Sequence, residues 1–278
     1  MAFVGGGTMI TVSMLSMEWL LFYAVLGAFV GFMAGLLGVG GGGILVPLLA
    51  STFAYQGIEQ QVHVALGTAL TCMIITSAAS TRAHNARGAV EWKVVGGMAL
   101  GIIMGAYAST QIASKVNAVY IALFFAMFMA LVAIQMFIGW QPNPSRKPMT
   151  QRRLVGVGFG IGAVSALAAV GGGFLMILYL SYKSIEIRKA IGTSAAIGFP
   201  IAISGAAGYM VGGWSETLNI PYAVGYVYLP ACIVISVASI IAAPIGVRLS
   251  HNLPASLLKK IFAVVSLLLS AKMLLSVM

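Results

Sequence analysis

Apolar residues run along this chain in eight long blocks, at about 19–53, 64–81, 94–113, 118–139, 154–180, 190–208, 223–247 and 256–277. None shows the period-two alternation of a half-buried strand, and each approaches or exceeds the roughly 20 residues an α-helix needs to cross a bilayer. Polar and charged residues collect in the short connections. The blocks fall into two sets of four, and the first block of each set is broken by glycine. The breaks read Leu37-Gly38-Val39-Gly40-Gly41-Gly42-Gly43 and Ala168-Ala169-Val170-Gly171-Gly172-Gly173.

Such a break is expensive. Glycine costs about 1 kcal/mol per position against alanine inside a helix, and backbone groups left unpaired in lipid cost more. The halves also align beyond the glycines. Ala65-Leu66-Gly67-Thr68 corresponds to Ala190-Ile191-Gly192-Thr193, and His84 with Gly88 falls opposite Tyr209 with Gly213. Repeats with interrupted helices at equivalent positions point to a binding site at the repeat interface. Gly27, Gly31 and Gly35, like Gly97, Gly101 and Gly105, recur once per turn and read as close-packing positions. The consecutive runs strip every side chain from a helix and read as a substrate loop.

Charge decides the topology. If every block crossed once, the 15 Lys and Arg residues would divide about evenly between the two sides. If instead the first and fifth blocks are hairpins turning at the glycines, one side receives Arg82, Arg87, Lys93, Arg146, Lys147, Arg152, Arg153, Lys183, Arg188, Lys189, Arg248, Lys259 and Lys260. The other receives only Lys115 and Lys272. Basic loops face the cytoplasm, so the hairpin reading places both termini outside. It predicts an all-α polytopic membrane protein of two inverted repeats, each a glycine-tipped hairpin plus three transmembrane helices. The first repeat spans 19–139, a basic cytoplasmic linker 140–153, and the second repeat 154–277. Hairpins of half or full depth both fit the pattern.

Composition agrees: 60% of residues are hydrophobic and 7% charged, against roughly 25% charged in a soluble domain. The net charge of +10 is the signature of basic membrane loops rather than of nucleic-acid binding. No phosphate-binding loop is present, no cofactor or metal motif is expected, and 1–17 lack the basic start of a signal peptide, so the first block is expected to be retained. Cys72 and Cys232 lie in apolar blocks and suggest no disulfide framework.

A helix that starts inside the membrane presents free amides and a positive dipole end, which favour an anion. The candidate substrate ligands are therefore Gly40, Gly41, Gly42, Gly43, Gly171, Gly172 and Gly173, with hydroxyls from Thr68 and Thr193. His84, beside Arg82 and Arg87, is the candidate for gating or proton coupling. The chain has no Asp, and Glu18, Glu59, Glu91, Glu186 and Glu216 all fall near block ends. A cation carrier or a carboxylate proton relay would need acidic groups in block centres, so the cargo is expected to be anionic. An intramembrane protease would need a serine and a histidine in reach of each other. Ser204-Gly205 has no histidine in its half before His251, so an enzyme is not expected.

The run Gly31-Phe32-Met33-Ala34-Gly35-Leu36-Leu37-Gly38-Val39-Gly40-Gly41-Gly42, with Val46-Pro47, Ala65-Leu66-Gly67-Thr68 and the spacing of His84 to Gly88, resembles the TauE/SafE family. The second half repeats the pattern more weakly, with Ala166, Ala168 and Ala169 in place of Gly35, Leu37 and Gly38. The resemblance implies an inner-membrane transporter of small sulfur-containing anions such as sulfite, sulfoacetate or other organosulfonates. A passive anion channel of the same architecture is the alternative.

Overall fold

The structure is a computed structural model that describes residues 16–38, 40–138 and 150–275. Val39 and most of the basic linker, with Arg146 and Lys147, lie outside the described residues. Ten helices follow in order: α1 Met17–Leu37, α2 Gly42–Tyr55, α3 Gln61–Asn85, α4 Trp92–Ala113, α5 Ala118–Ile138, α6 Gln151–Leu167, α7 Gly173–Tyr182, α8 Ile187–Gly212, α9 Leu229–Asn252 and α10 Ala255–Leu275. A two-stranded hairpin, β1 Ala223–Val224 and β2 Val227–Tyr228, precedes α9. Among the described residues, six helices are long and apolar enough to cross a membrane: α1, α3, α4, α5, α8 and α9.

Both interrupted blocks are hairpins. The long apolar run at 19–53 divides into α1 and α2, and the ends of the pair come back together: Trp19 stacks near Tyr55 at 6.0 Å, and the Tyr23 hydroxyl donates to Gln56 Oε1 at 3.3 Å. The block at 154–180 divides likewise into α6 and α7, and Tyr179 near the end of α7 returns to within electrostatic reach of Arg153 at the start of α6.

Two glycine seams set the helix directions. Gly27, Gly31 and Gly35 of α1 meet Ile235, Ser239 and Ala243 of α9 in the same order, so these helices run parallel. Gly97, Gly101 and Gly105 of α4 meet Leu154, Val155 and Phe159 of α6 in the same way, and Gly158 and Gly162 answer from α6. No side chain fits between backbones this close, which is how small residues drive helix association where lipid gives no hydrophobic force. In the centre, α3 crosses α8 in the opposite direction, with Leu70 at Gly205 and Ser77 at Gly198. α3 runs with α9, through Cys72 and Cys232 and through the Thr76–Ser239 hydroxyl pair at 3.0 Å. α4 runs with α8 past Thr110 and Gly208. On the flank, α5 and α10 are antiparallel, the Ser270 hydroxyl donating to the Ala126 carbonyl at 2.8 Å.

These directions sort the charges. Arg82, Arg87, Lys93, Arg152, Arg153, Lys183, Arg188, Lys189 and Arg248 lie at one end of the bundle with the start of α10, whereas Lys115 and Lys272 lie at the other. Glu91 joins the basic end, paired with Lys189 at 2.7 Å. Glu18, Glu59 and Glu216 lie at the opposite end.

The seams make an unequal demand on glycine. A Cβ at Gly246 would overlap the Phe32 carbonyl, whereas one at Gly96 meets nothing within 4 Å. Gly246→Val is expected to abolish the monodisperse folded peak in size-exclusion chromatography, while Gly96→Ala leaves it unchanged.

Candidate functional site

The two hairpin tips meet in the middle of the bundle. α2 starts at Gly42 behind Gly41 (φ 81°), and α7 starts at Gly173 behind Gly172 (φ 72°). Both caps occupy the left-handed region that glycine alone enters at little cost. Gly42 abuts the Ala169 carbonyl, and Gly43 abuts the Val170 side chain. The second tip thus carries alanine where the first has Gly38, and Ala169 is held at φ 47°, an uncommon conformation for a residue with a Cβ.

Depth follows from what surrounds the tips. Gly40 lies against Met73 Sδ and Ser77 Oγ, and Met73 is the midpoint of the 25-residue α3. Gly172 lies against Ile197 and Ile201, and the Gly171 carbonyl faces Gly198, all near the middle of the 26-residue α8. Both helix starts therefore point their positive ends into the centre of the bundle rather than toward water.

Their amides are free. Among the described residues nothing accepts from the backbone N–H groups of Gly40, Gly41, Gly42 and Gly43. The same holds for Gly171, Gly173 and Phe174 at the second tip, while Gly172 N–H turns back on the Val170 carbonyl. A helix start leaves such donors orphaned by construction, and here no capping side chain relieves them.

Two hydroxyls share this condition. Ser77 is fully buried between Gly40 and Gly198, and its Oγ has no hydrogen-bond partner. Ser266 of α10 is fully buried and equally unpartnered. It lines a cavity of about 10 Å³ with Gly41, Gly43, Met129, Val170 and Leu269, room for about one water. An unpaired buried hydroxyl costs about 1–3 kcal/mol; Ser80, Ser236 and Tyr209 share that condition elsewhere in the core, but Ser77 and Ser266 are the ones that lie against the tips.

Thr68 and Thr193 stand elsewhere. Thr68 Oγ1 accepts the Tyr228 N–H at 2.9 Å, and Thr193 Oγ1 accepts the Glu91 N–H at 2.9 Å. Tyr228 and Glu91 are the residues that cap the starts of α9 and α4. Gly67 and Gly192 let the carbonyls of Tyr226 and Ala89 come close beside them. The repeated Ala-Leu/Ile-Gly-Thr segment therefore pins the start of a helix from the opposite half, and Thr68 is roughly 13 Å of helix away from Ser77.

His84 is buried, with Nδ1 3.3 Å from Nε2 of His251 at the end of α9. It lies two turns, roughly 10 Å, beyond Ser77 toward the basic end. Arg82 and Arg87 are exposed around it, and Arg87 donates to the Ala83 carbonyl at 3.1 Å. His251 stands in the last turn of α9, and neither Ser77 nor Ser266 is among the residues the sequence pattern singles out. α3 also carries Thr71, Thr76, Ser80 and Thr81, so nothing in the pattern marks Ser77.

Re-entrant helix starts meeting at mid-depth within a bundle of membrane-spanning helices define a multi-pass membrane protein of the transporter class. The model of the sulfite exporter TauE/SafE family matches residues 23–273, and the chain belongs to that family. A probable membrane transporter protein of Haemophilus influenzae is 31% identical over 92% of this chain and 98% of its own length. The probable membrane transporter protein MJ0441 of Methanocaldococcus jannaschii is 24% identical over 82% of this chain and 85% of its own. YdhB of Bacillus subtilis, named in the same way, is 29% identical over 82% and 89%. No solved structure matches the chain.

The pinning threonines carry a stability prediction. Thr68→Val strands the buried Tyr228 N–H and is expected to cost about 1–3 kcal/mol, read as a lower unfolding temperature of the purified protein; Thr193→Val frees the half-buried Glu91 N–H and is expected to cost less.

Proposed function

We propose that this protein transports a small sulfur-containing anion, such as sulfite or an organosulfonate, across the cytoplasmic membrane by alternating access at the two glycine tips. The observation that carries this reading is the meeting of two helix starts in the centre of the bundle, with amide donors that find no acceptor among the described residues and with the Ser77 hydroxyl beside them. Water cannot serve those donors inside a bilayer, and each orphan costs free energy unless something accepts from it. An oxyanion accepts from several at once, and both dipoles favour its charge. The family's description as sulfite exporters supports the choice of cargo, and the relatives' names support transport over catalysis.

In this reading the halves are inverted repeats. Supporting it, α1, α3, α4 and α5 each point opposite to the helix in the matching position of the second half, and the α1–α9 seam has its counterpart in α6–α4. The basic end faces the cytoplasm, as the distribution of Lys and Arg favours, and both termini face outward. His84, paired with His251 across the halves and flanked by Arg82 and Arg87, gates the cytoplasmic mouth. Thr68 and Thr193 serve the site indirectly, by holding the starts of α9 and α4. Among the described residues the cavity beside Gly41 and Gly43 holds about one water, so in this reading the tips part to admit cargo.

Gly43 is the least disruptive of the first tip's glycines to test, because its φ is ordinary and an added methyl would meet the side chains of Val170 and Met129 rather than backbone. Gly43→Ala is expected to lower anion uptake into proteoliposomes at least tenfold while preserving the unfolding temperature; unchanged uptake contradicts the site. Counterflow separates a carrier from a channel, since only a carrier accelerates uptake when loaded with unlabelled anion on the far side. For topology, cysteines introduced at Arg87 and Lys183 are expected to label from the same face of the membrane. Labelling from opposite faces contradicts the hairpin arrangement.

A further inference from the structure

Resting on the anion site proposed above, we infer that the site takes its cargo as a monovalent anion, held by the Ser77 and Ser266 hydroxyls as well as by the glycine amides, so that a dibasic oxyanion crosses with one proton still attached. The argument is one of charge balance. Each helix start is worth roughly half a positive charge, and two of them meet at the tips, which together balance about one negative charge.

Among the described residues nothing cationic adds to this. The side chains around the tips include Val30, Met73, Met129, Val170, Ile197 and Leu269, and the hydroxyls there are Ser77, Ser266 and Ser194, the last already donating to the carbonyls of Gly38 and Ile191. The Cys72 thiol, hydrogen-bonded to the Cys232 carbonyl, lies roughly 8 Å along α3 from Ser77 and is neutral when protonated, so it adds no positive charge. The nearest histidines, His84 and His251, lie roughly 10 Å along α3 on the other side, with Arg87, Arg188 and Glu186 acting on them from the surface. A second negative charge at the tips would be buried without a partner, in surroundings where an uncompensated ion is strongly disfavoured. A singly charged oxyanion meets neither obstacle.

The hydroxyls give the pocket its polarity. Ser77 lies against the tips between Gly40 and Gly198, and Ser266 lines the small cavity beside Gly41 and Gly43 from α10. Both are fully buried with no partner, and hydroxyls can donate to an anion's oxygens while accepting a proton that the anion retains. A cargo that brings its own proton needs no carboxylate relay in the protein. The chain has no aspartate, and its five glutamates lie at helix ends or in connections.

Proteoliposome uptake of labelled methanesulfonate, which is monovalent at every working pH, provides the test. Sulfate, divalent throughout, is expected not to compete, and sulfite is expected to compete in proportion to its singly protonated fraction as the pH is lowered. Methanesulfonate uptake measured alone across the same pH range reports any titration of the His84–His251 pair, and the sulfite result is read relative to it. Ser77→Ala and Ser266→Ala are expected to weaken methanesulfonate affinity about tenfold each, the size of one hydrogen bond to a charged group, with unfolding temperatures at or above that of the parent. Equal competition by sulfate, or competition that follows the divalent form of sulfite, overturns the charge inference and leaves the anion site standing. Unchanged affinity in both serine variants overturns the role of the hydroxyls. Absence of uptake with every anion, or full uptake by Gly43→Ala, overturns the underlying site instead.

Discussion

Every backbone N–H inside a bilayer must find an acceptor, and this fold leaves a group of them without one. Helices satisfy the demand internally except over their first turn, and a first turn at the membrane surface is served by water. Here α2 and α7 start in the middle of the bundle, against Met73 and Ile197. Their donors therefore have only each other's surroundings, two hydroxyls and whatever enters. The rest of the architecture serves to hold these two starts in place.

That support comes from close backbone contact. The α1–α9 and α4–α6 seams fix the long arm of each hairpin against a helix from the other half, and Gly246 and Gly101 meet carbonyls at distances no side chain permits. The crossing of α3 over α8 then sets the depth of the tips. Thr68 and Thr193 tie the starts of α9 and α4 to these two central helices. Each restraint links the two halves, so a rearrangement at the tips is shared by both.

The helical architecture was legible in the sequence because lipid leaves few options. Long apolar blocks, glycine interruptions and the sorting of fifteen basic residues led to two hairpins, and the ends of α1 and α2 do come together at Trp19 and Tyr55. Glycines spaced once per turn were read as packing positions, and they are. The binding surface was less legible. Thr68 and Thr193 stood out because they repeat, yet repetition marked a joint rather than the tips. Ser77 has alanine, Ala202, at the matching place in the second half, so a search for symmetric features passes it by. Ser266 lies nearly a hundred residues from the second tip and joins it only through the packing of α10. His251 was invisible as a partner of His84 until α3 and α9 were seen to run side by side.

The asymmetry of the tips is informative in itself. The first has four consecutive glycines and both hydroxyls nearby, while the second retains Ala169 in a left-handed conformation. The proposed cargo contacts are then unequal, the first tip supplying the Gly40 to Gly43 amides and the second the amides of Gly171, Gly173 and Phe174 beside the Ala169 carbonyl and the Val170 side chain. The most direct measurement is an anomalous-scattering map of crystals grown with selenite, a heavier analogue of sulfite, at a pH where it is monovalent. The account predicts a selenium peak within hydrogen-bond distance of the Gly41 to Gly43 amides and Ser77 Oγ; selenium found only beside surface arginines, with the tips still in contact, would contradict it.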